Sequence, residues 1–312
     1  MNGTTNPPDP YSGHDGGHWK PVASEVVASR PRGHFAENLA VDPAGAVFVS
    51  LHSHHCIDHF DPDTRQVEEF ARLGAPVAGL AFDAAGSLWV TGGILAQAPG
   101  HIWRIQSGQP ELWLEIPDAV FLNGCTPHPD GRTLLVCESI TGRILAIDQM
   151  ERRWSVWLQD DCLRPKSPQM PGANGIKVHG DWAWISVTDH DAVVRCRIAA
   201  DGSACGAEVV AEKLHADDFV FGESGAAYFA THAAHAVLRL DPDRLRVTIA
   251  GPQEGAVGCT ACAFGRGAGD RHSLYVTTTG GLRYPYRGEV QDAKLLRLNV
   301  GESGRPLLPG RE

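Results

Sequence analysis

Residues 121–147, FLNGCTPHPDGRTLLVCESITGRILAI, decide the fold. An apolar run ends in Pro129-Asp130-Gly131, where each residue favours a turn. Proline fixes φ, aspartate bonds its own backbone, and glycine accepts a left-handed conformation. A second apolar run, 133–137, leads to the turn Thr141-Gly142 and a third run, 144–147. Three short strands joined by tight turns make an antiparallel sheet. The polar pair Asn123-Gly124 at the head of the first strand does not suit a packed core, and function is expected there.

The unit recurs. Residues 37–60 turn at 42–45, residues 77–105 at 83–86, residues 173–198 at 179–181, and residues 217–240 at 222–225; a sixth copy spans 259–298. With Glu37, Ala78, Asn123, Asn174, Asp217 and Thr260 taken as equivalent, the spacings are 41, 45, 51, 43 and 43. A period of roughly 40–50 residues built from about four strands is the signature of a propeller blade. Outer fourth strands are readable at 66–73, 110–116, 153–158, 206–212 and 246–250. The sixth unit lacks one, and residues 22–28 are expected to supply it, closing the ring and removing its exposed edge. The expectation is an all-β fold: a single six-bladed β-propeller over residues 21–302, with tails at 1–20 and 303–312.

The 35 glycines and 21 prolines suit many tight turns, and 43% hydrophobic residues suffice for a core. A net charge of −10 with no Lys/Arg run argues against a nucleic-acid partner. No apolar run approaches the length of a membrane span. The first 20 residues, rich in Gly, Pro, Asn and Asp, carry no apolar segment of a secretory signal and are expected to be poorly ordered. Most of the eight cysteines fall in apolar strands and are read as small buried residues of a reducing, cytoplasmic setting. Cys259 and Cys262 lie three apart on a strand and point to opposite faces, which disfavours a zinc site. A Cys196–Cys205 disulfide has nothing else to support it.

In a propeller the first strand of each blade lines the central channel, so the heads of these strands meet at one mouth. The equivalent positions hold Glu37, Asn123, Asn174 and Asp217, with Asp218 adjacent. Two carboxylates and two amides are an all-oxygen set for a hard divalent cation. Calcium suits it best, magnesium and manganese also fit, and zinc is less natural without Cys or His.

The motifs ENLAVD (37–42), FLNG (121–124), ANGI (173–176), ADDF (216–219), GCTACAFG (258–265) and LYVTTTGG (274–281), in this order and phase, resemble the regucalcin/gluconolactonase (senescence marker protein) family. More distantly they resemble paraoxonase and diisopropylfluorophosphatase. The resemblance covers about residues 34–300 and implies a six-bladed calcium-dependent propeller. It carries the family's metal ligands onto Glu37, Asn123, Asn174 and Asp217, and places Asp218 where some paraoxonase-like members have a further ligand. It implies hydrolysis of a lactone or small ester, with Asp217 first and Asp218 second as general base. The histidine that paraoxonase-like members carry on the second blade is missing, since this chain reads Val77-Ala78-Gly79 there.

Substrate contacts are expected from His34 and His215 near the mouth, and from Arg283 and Tyr284 in the 280–288 loop. Arg164, Lys166 and Tyr286 are further candidates, and His52, His54, His55, His190 and His232 also follow strands near the mouth. Two other classes stay open: a biosynthetic, strictosidine-synthase-like propeller performing a condensation, cyclisation or isomerisation, and a non-catalytic calcium-binding propeller. A small molecule is the expected partner. The sequence fixes no oligomeric state.

Overall fold

The computed structural model describes residues 18–306, and these form six four-stranded antiparallel blades around one channel. The innermost strands are Ala36–Val41, Val77–Phe82, Leu122–Pro127, Ala173–His179, Phe219–Phe221 and Cys259–Phe264. Ser24–Arg30 pairs antiparallel with Ala293–Asn299, so the N-terminal segment closes the sixth blade as expected. Two details lie outside the expected domain limits. His18–Trp19 adds a short parallel strand to blade five, with Trp19 packed against Gly251. At the other end Gly304 bridges Gly222, and the Arg305 N–H donates to the Phe221 carbonyl at 3.0 Å. The ordered ends therefore reach past residues 21 and 302; the rest of both expected tails lies outside the described residues. Among the described residues no helix is long and apolar enough to cross a membrane.

Sequence period explains the layering. Each inner strand is sandwiched between neighbouring blades, so Ala36–Val41 and Leu122–Pro127 are buried at every position. The outer strands are far more open to solvent, as in Val67–Arg72, where Ala71 alone is buried. The core is accordingly divided into interblade layers. One unites Trp89 and Ile102 of blade two with Leu122, Leu134 and Ile147 of blade three. The Asp-x-x-Gly turns work as their chemistry suggests. Asp42 Oδ1 accepts from the N–H groups of Ala44 and Ala46 at 2.9 Å each, and Gly45 takes φ +102°.

Five of the six inner strands begin with a register shift. The irregularities fall between Ala36 and Asn38, Val77 and Leu80, Leu122 and Cys125, Ala173 and Ile176, and Cys259 and Ala261. The bulged positions are Glu37, Ala78-Gly79, Asn123-Gly124, Asn174-Gly175 and Thr260, the same phase that the repeat spacing equated. A bulge leaves a residue out of the ladder and re-aims its side chain, here into the channel mouth. In blade five the ladder starts only at Phe219, and Asp217-Asp218 occupy the corresponding place.

A belt of hydroxyls ties these heads together. Ser50 donates to the Ala78 carbonyl (2.7 Å), Thr91 to that of Asn123, Ser139 to that of Ala173 (2.6 Å), Ser186 to that of Asp217, and Thr260 to that of Ala36 (2.7 Å). Each bond runs from one blade to the next, so the mouth is rigid before any ligand arrives.

All eight cysteines are unpaired, with no bond between Cys196 and Cys205. Cys262 is buried, and its thiol contacts the Tyr228 carbonyl at 3.1 Å.

Candidate active site

The channel mouth is a cavity of about 350 Å³. Its lining includes Glu37, Asn123, Asn174 and Asp217 from the strand heads, together with His215, His232, Arg283 and Tyr284. The structure thus brings together four of the four expected cation ligands and three of the four expected substrate contacts. A larger groove, about 1440 Å³, opens at the far end of the channel around Pro127, His179 and Phe221. It holds none of the oxygen donors, so volume alone does not mark the site.

Two expected residues are elsewhere. Asp218 is buried but turned away from the mouth: its Oδ1 accepts from Lys177 Nζ at 2.6 Å and its Oδ2 from Asn38 Nδ2 at 3.0 Å. Consecutive residues of an extended segment point to opposite sides, so only Asp217 faces the cavity. Asp218, expected as second base and further ligand, lies in an ion pair with Lys177 and outside the cavity lining. His34, expected as a substrate contact, is also placed elsewhere. Its Nδ1 lies 2.8 Å from the Pro31 carbonyl and its ring stacks on His54 at 3.8 Å, which holds it outside the cavity lining. Arg164 pairs with Asp161 at 3.3 Å, and Tyr286 packs edge-on against His235; neither lines the cavity.

The Lys177–Asp218 pair makes a direct prediction. Lys177→Met leaves a buried carboxylate without its cation, which costs about 3–5 kcal/mol. Chemical denaturation should show that loss, and the double change Lys177→Met, Asp218→Asn should recover part of it.

The electrostatics of the mouth are those of two buried carboxylates, with the Arg283 guanidinium the arginine charge that acts on both. Glu37 is 9% exposed and makes no hydrogen bond or ion pair among the described residues. Asp217, 5% exposed, accepts from Asn174 Nδ2 at 2.6 Å, and its Oδ2 lies 3.3 Å from His232 Nδ1. Burial first, then repulsion from Asp217, pushes the Glu37 carboxyl up to about 8. Burial first, then repulsion from Asp218, raises Asp217 to about 8. Burial lowers His232 to about 4, so its imidazole is neutral at pH 7.

Both carboxyls bind protons more tightly folded than unfolded. Their contribution to stability is full below about pH 4 and is lost as pH rises through 8. In chelator, the melting temperature should therefore fall between pH 5 and pH 8. Glu37→Gln should flatten that slope; an unchanged slope would show that these carboxyls do not carry it.

The amides complete the picture. Asn174 Nδ2 also donates to Thr188 Oγ1 at 2.9 Å, while Asn123 Nδ2 is buried with no partner among the described residues. Buried amide nitrogens without partners are uncommon and costly, which sets Asn123 apart from Asn174. No three His, Cys, Asp or Glu side chains close around one point among the described residues. A cation here would depend on the two amide oxygens as well as the carboxylates.

His52 and His232 are the mouth histidines that the sequence did not single out from the others. His52 Nδ1 lies 2.9 Å from the Val77 carbonyl, and its ring packs edge-on to Phe121. His232 contacts Phe35 and Tyr284 edge-on, and its Nε2 lies 3.3 Å from Thr279 Oγ1. His215 Nδ1 contacts the Asp191 carboxyl, and both line the cavity. Overhead, Tyr284 of the 280–288 loop donates its hydroxyl toward Met170 Sδ at 3.7 Å, so the two long loops meet above the mouth.

No protein-family model matches this sequence, and no curated protein matches it. Solved structures do share its shape. Luciferin-regenerating enzyme superposes with a TM-score of 0.72 at 14% identity, over 93% of this chain and 100% of that one. A calcium-binding protein, regucalcin, from Agrobacterium tumefaciens gives 0.70 at 17% identity, over 95% and 99%. A candidate gluconolactonase gives 0.70 at 16%, over 92% and 96%. These likenesses establish the fold, a six-bladed propeller that the three structures share with this chain.

Proposed function

We propose that this chain is a divalent-metal-dependent hydrolase that opens a lactone or small ester in the mouth cavity. The observation that carries the reading is the pair of buried, cavity-facing carboxylates, Glu37 and Asp217, with Asn123 and Asn174 at the same bulged position of neighbouring blades. These four residues would hold the cation, and their hard oxygen donors suit calcium, with magnesium and manganese as substitutes. A divalent cation bound there supplies Lewis-acid polarisation of an ester carbonyl and charge for a developing oxyanion.

The chain's own groups do the rest. Asp217 is the general base of the site, the one carboxylate shared between Asn174 and His232. Asn174 orients it from one oxygen and His232 from the other. The proton of an attacking water passes to Asp217. The rigid belt of interblade hydrogen bonds fixes these positions in advance, which is where positioned groups gain most of their effect. The fold shared with a calcium-binding regucalcin and a candidate gluconolactonase supports the reading, as do the eight unpaired cysteines, which suit a cytoplasmic setting.

The test is a panel of lactones and esters assayed with calcium, with EDTA, and with calcium restored. Activity should vanish in EDTA and return with calcium, and Asn174→Ala should lower kcat/KM by roughly 100-fold or more. Hydrolysis that persists in EDTA would remove the metal-dependent reading. Calcium binding without hydrolysis of any panel member would move the assignment to a biosynthetic or non-catalytic propeller.

A further inference from the structure

The cavity is divided between a polar floor and apolar walls. The oxygen donors come from the strand heads, while Phe35, Leu95, Phe121, Met170 and Leu282 supply apolar lining, with Asp191, His215 and Tyr284 as further polar groups. The floor is largely committed: Asn174 to Asp217 and Thr188, Thr188 to the Ala216 carbonyl, and His52 to the Val77 carbonyl. One strong donor stands apart. Arg283 lines the lip of the cavity, and among the described residues its guanidinium makes no hydrogen bond and no ion pair.

Resting on the hydrolase reading, we infer that the substrate is an ester or lactone with an apolar, ring-sized body and a carboxylate that Arg283 receives, and is not a polyhydroxylated sugar lactone. A sugar lactone carries hydroxyls all round its ring; Asp191, His215 and Tyr284 can meet those that reach them, but those set against Phe35, Phe121 and Leu282 find no partner, and each hydroxyl buried without one costs about 1–3 kcal/mol. An aromatic or alicyclic body loses nothing against Phe35, Phe121 and Leu282 and gains from leaving water. A cavity of about 350 Å³ sits at the small end of the range for ligand pockets, which suits one ring with its acyl group. The planar guanidinium matches a carboxylate with two parallel hydrogen bonds. With Glu37 and Asp217 balanced by a divalent cation, and Asp191 in contact with His215, the Arg283 guanidinium is left to receive an anion. In the reaction a water oxygen bonds to the acyl carbon, the acyl C–O bond breaks, and the departing oxygen takes a proton.

The matched probes are 4-acetoxybenzoate, phenyl acetate and D-glucono-1,5-lactone, assayed with calcium on the full chain. The expected order of kcat/KM is 4-acetoxybenzoate above phenyl acetate, with the sugar lactone lowest. Arg283→Met should shrink the ratio of the first to the second at least tenfold, and Arg283→Lys should restore part of it. Fastest turnover of the sugar lactone, or a ratio indifferent to Arg283, would overturn the inference while leaving the hydrolase reading intact. If no probe is hydrolysed, titration calorimetry with 4-hydroxybenzoate, phenol and D-gluconate reads the same cavity. Preferential binding of 4-hydroxybenzoate that weakens tenfold in Arg283→Met keeps the assignment of the cavity and removes the hydrolase reading. Equal binding of the three removes both.

Discussion

Glu37→Gln should abolish metal-dependent activity and at the same time stabilise the metal-free protein. Glu37 is buried at the mouth without a partner, raised to about 8 by burial and by the charge of Asp217. Ionising it in the metal-free protein at pH 8 is a cost to the fold. Glutamine keeps the shape and removes the charge, so the melting temperature in chelator at pH 8 should rise. The same change takes away one of only two anionic donors for a divalent cation. A loss of kcat/KM on the order of 10³-fold, about 4 kcal/mol, is expected. Opposite signs on stability and activity are what a functional residue gives when its position opposes folding. A parallel loss of both would show Glu37 to be a structural group.

Gly124→Ala should damage both the fold and the mouth, out of proportion to the single methyl group it adds. A Cβ there would lie 2.5 Å from the Asn174 carbonyl oxygen and 2.9 Å from the Gly175 Cα. Both are backbone atoms of the next inner strand, held by the interblade hydrogen bonds, and neither can swing aside. Overpacking of this kind costs about 1–3 kcal/mol or more, so the melting temperature should drop by roughly 5 °C. Because the strain falls between Asn123 and Asn174, cation affinity should fall with it, by roughly 10–100-fold. Gly131→Ala is the control. Its φ is +71° but nothing lies within 4 Å, so only backbone strain of about 1 kcal/mol applies, with no effect on the mouth. Equal effects of the two would refute the close-approach account.

These glycines show how far the sequence can be read. The blades were legible because short turns rich in Gly, Asp and Pro, Asp-x-x-Gly in the first two blades, recur at a near-constant period, and turn chemistry is local. The phase of Glu37, Asn123, Asn174 and Asp217 was legible from the same period. The reason for that phase was not. Asn123-Gly124 and Asn174-Gly175 look like turn formers, yet they are bulges in which the glycine admits the neighbouring strand. A bulge adds one residue and leaves no mark in composition.

Asp217 and Asp218 are alike as residue types, and only the two-residue alternation of an extended chain separates them. That signal was present, and it assigns one carboxylate to the mouth and the other to Lys177. His34 looked close to the site because it is three residues from Glu37; its stacking on His54 is a tertiary fact. The apolar walls come from loops of several blades, and convergence of that kind has no signature in a single stretch.

The central claim is that Glu37, Asn123, Asn174 and Asp217 form one cation site. The most direct measurement is a calcium titration of the chelator-treated chain by calorimetry at pH 7, repeated in buffers of different ionisation enthalpy. One site per chain is predicted, with proton release on binding because the two carboxyls hold protons until the cation displaces them. Loss of that site in Glu37→Gln and in Asn174→Ala completes the expected result. Absence of binding, or binding that both variants leave unchanged, would contradict the account.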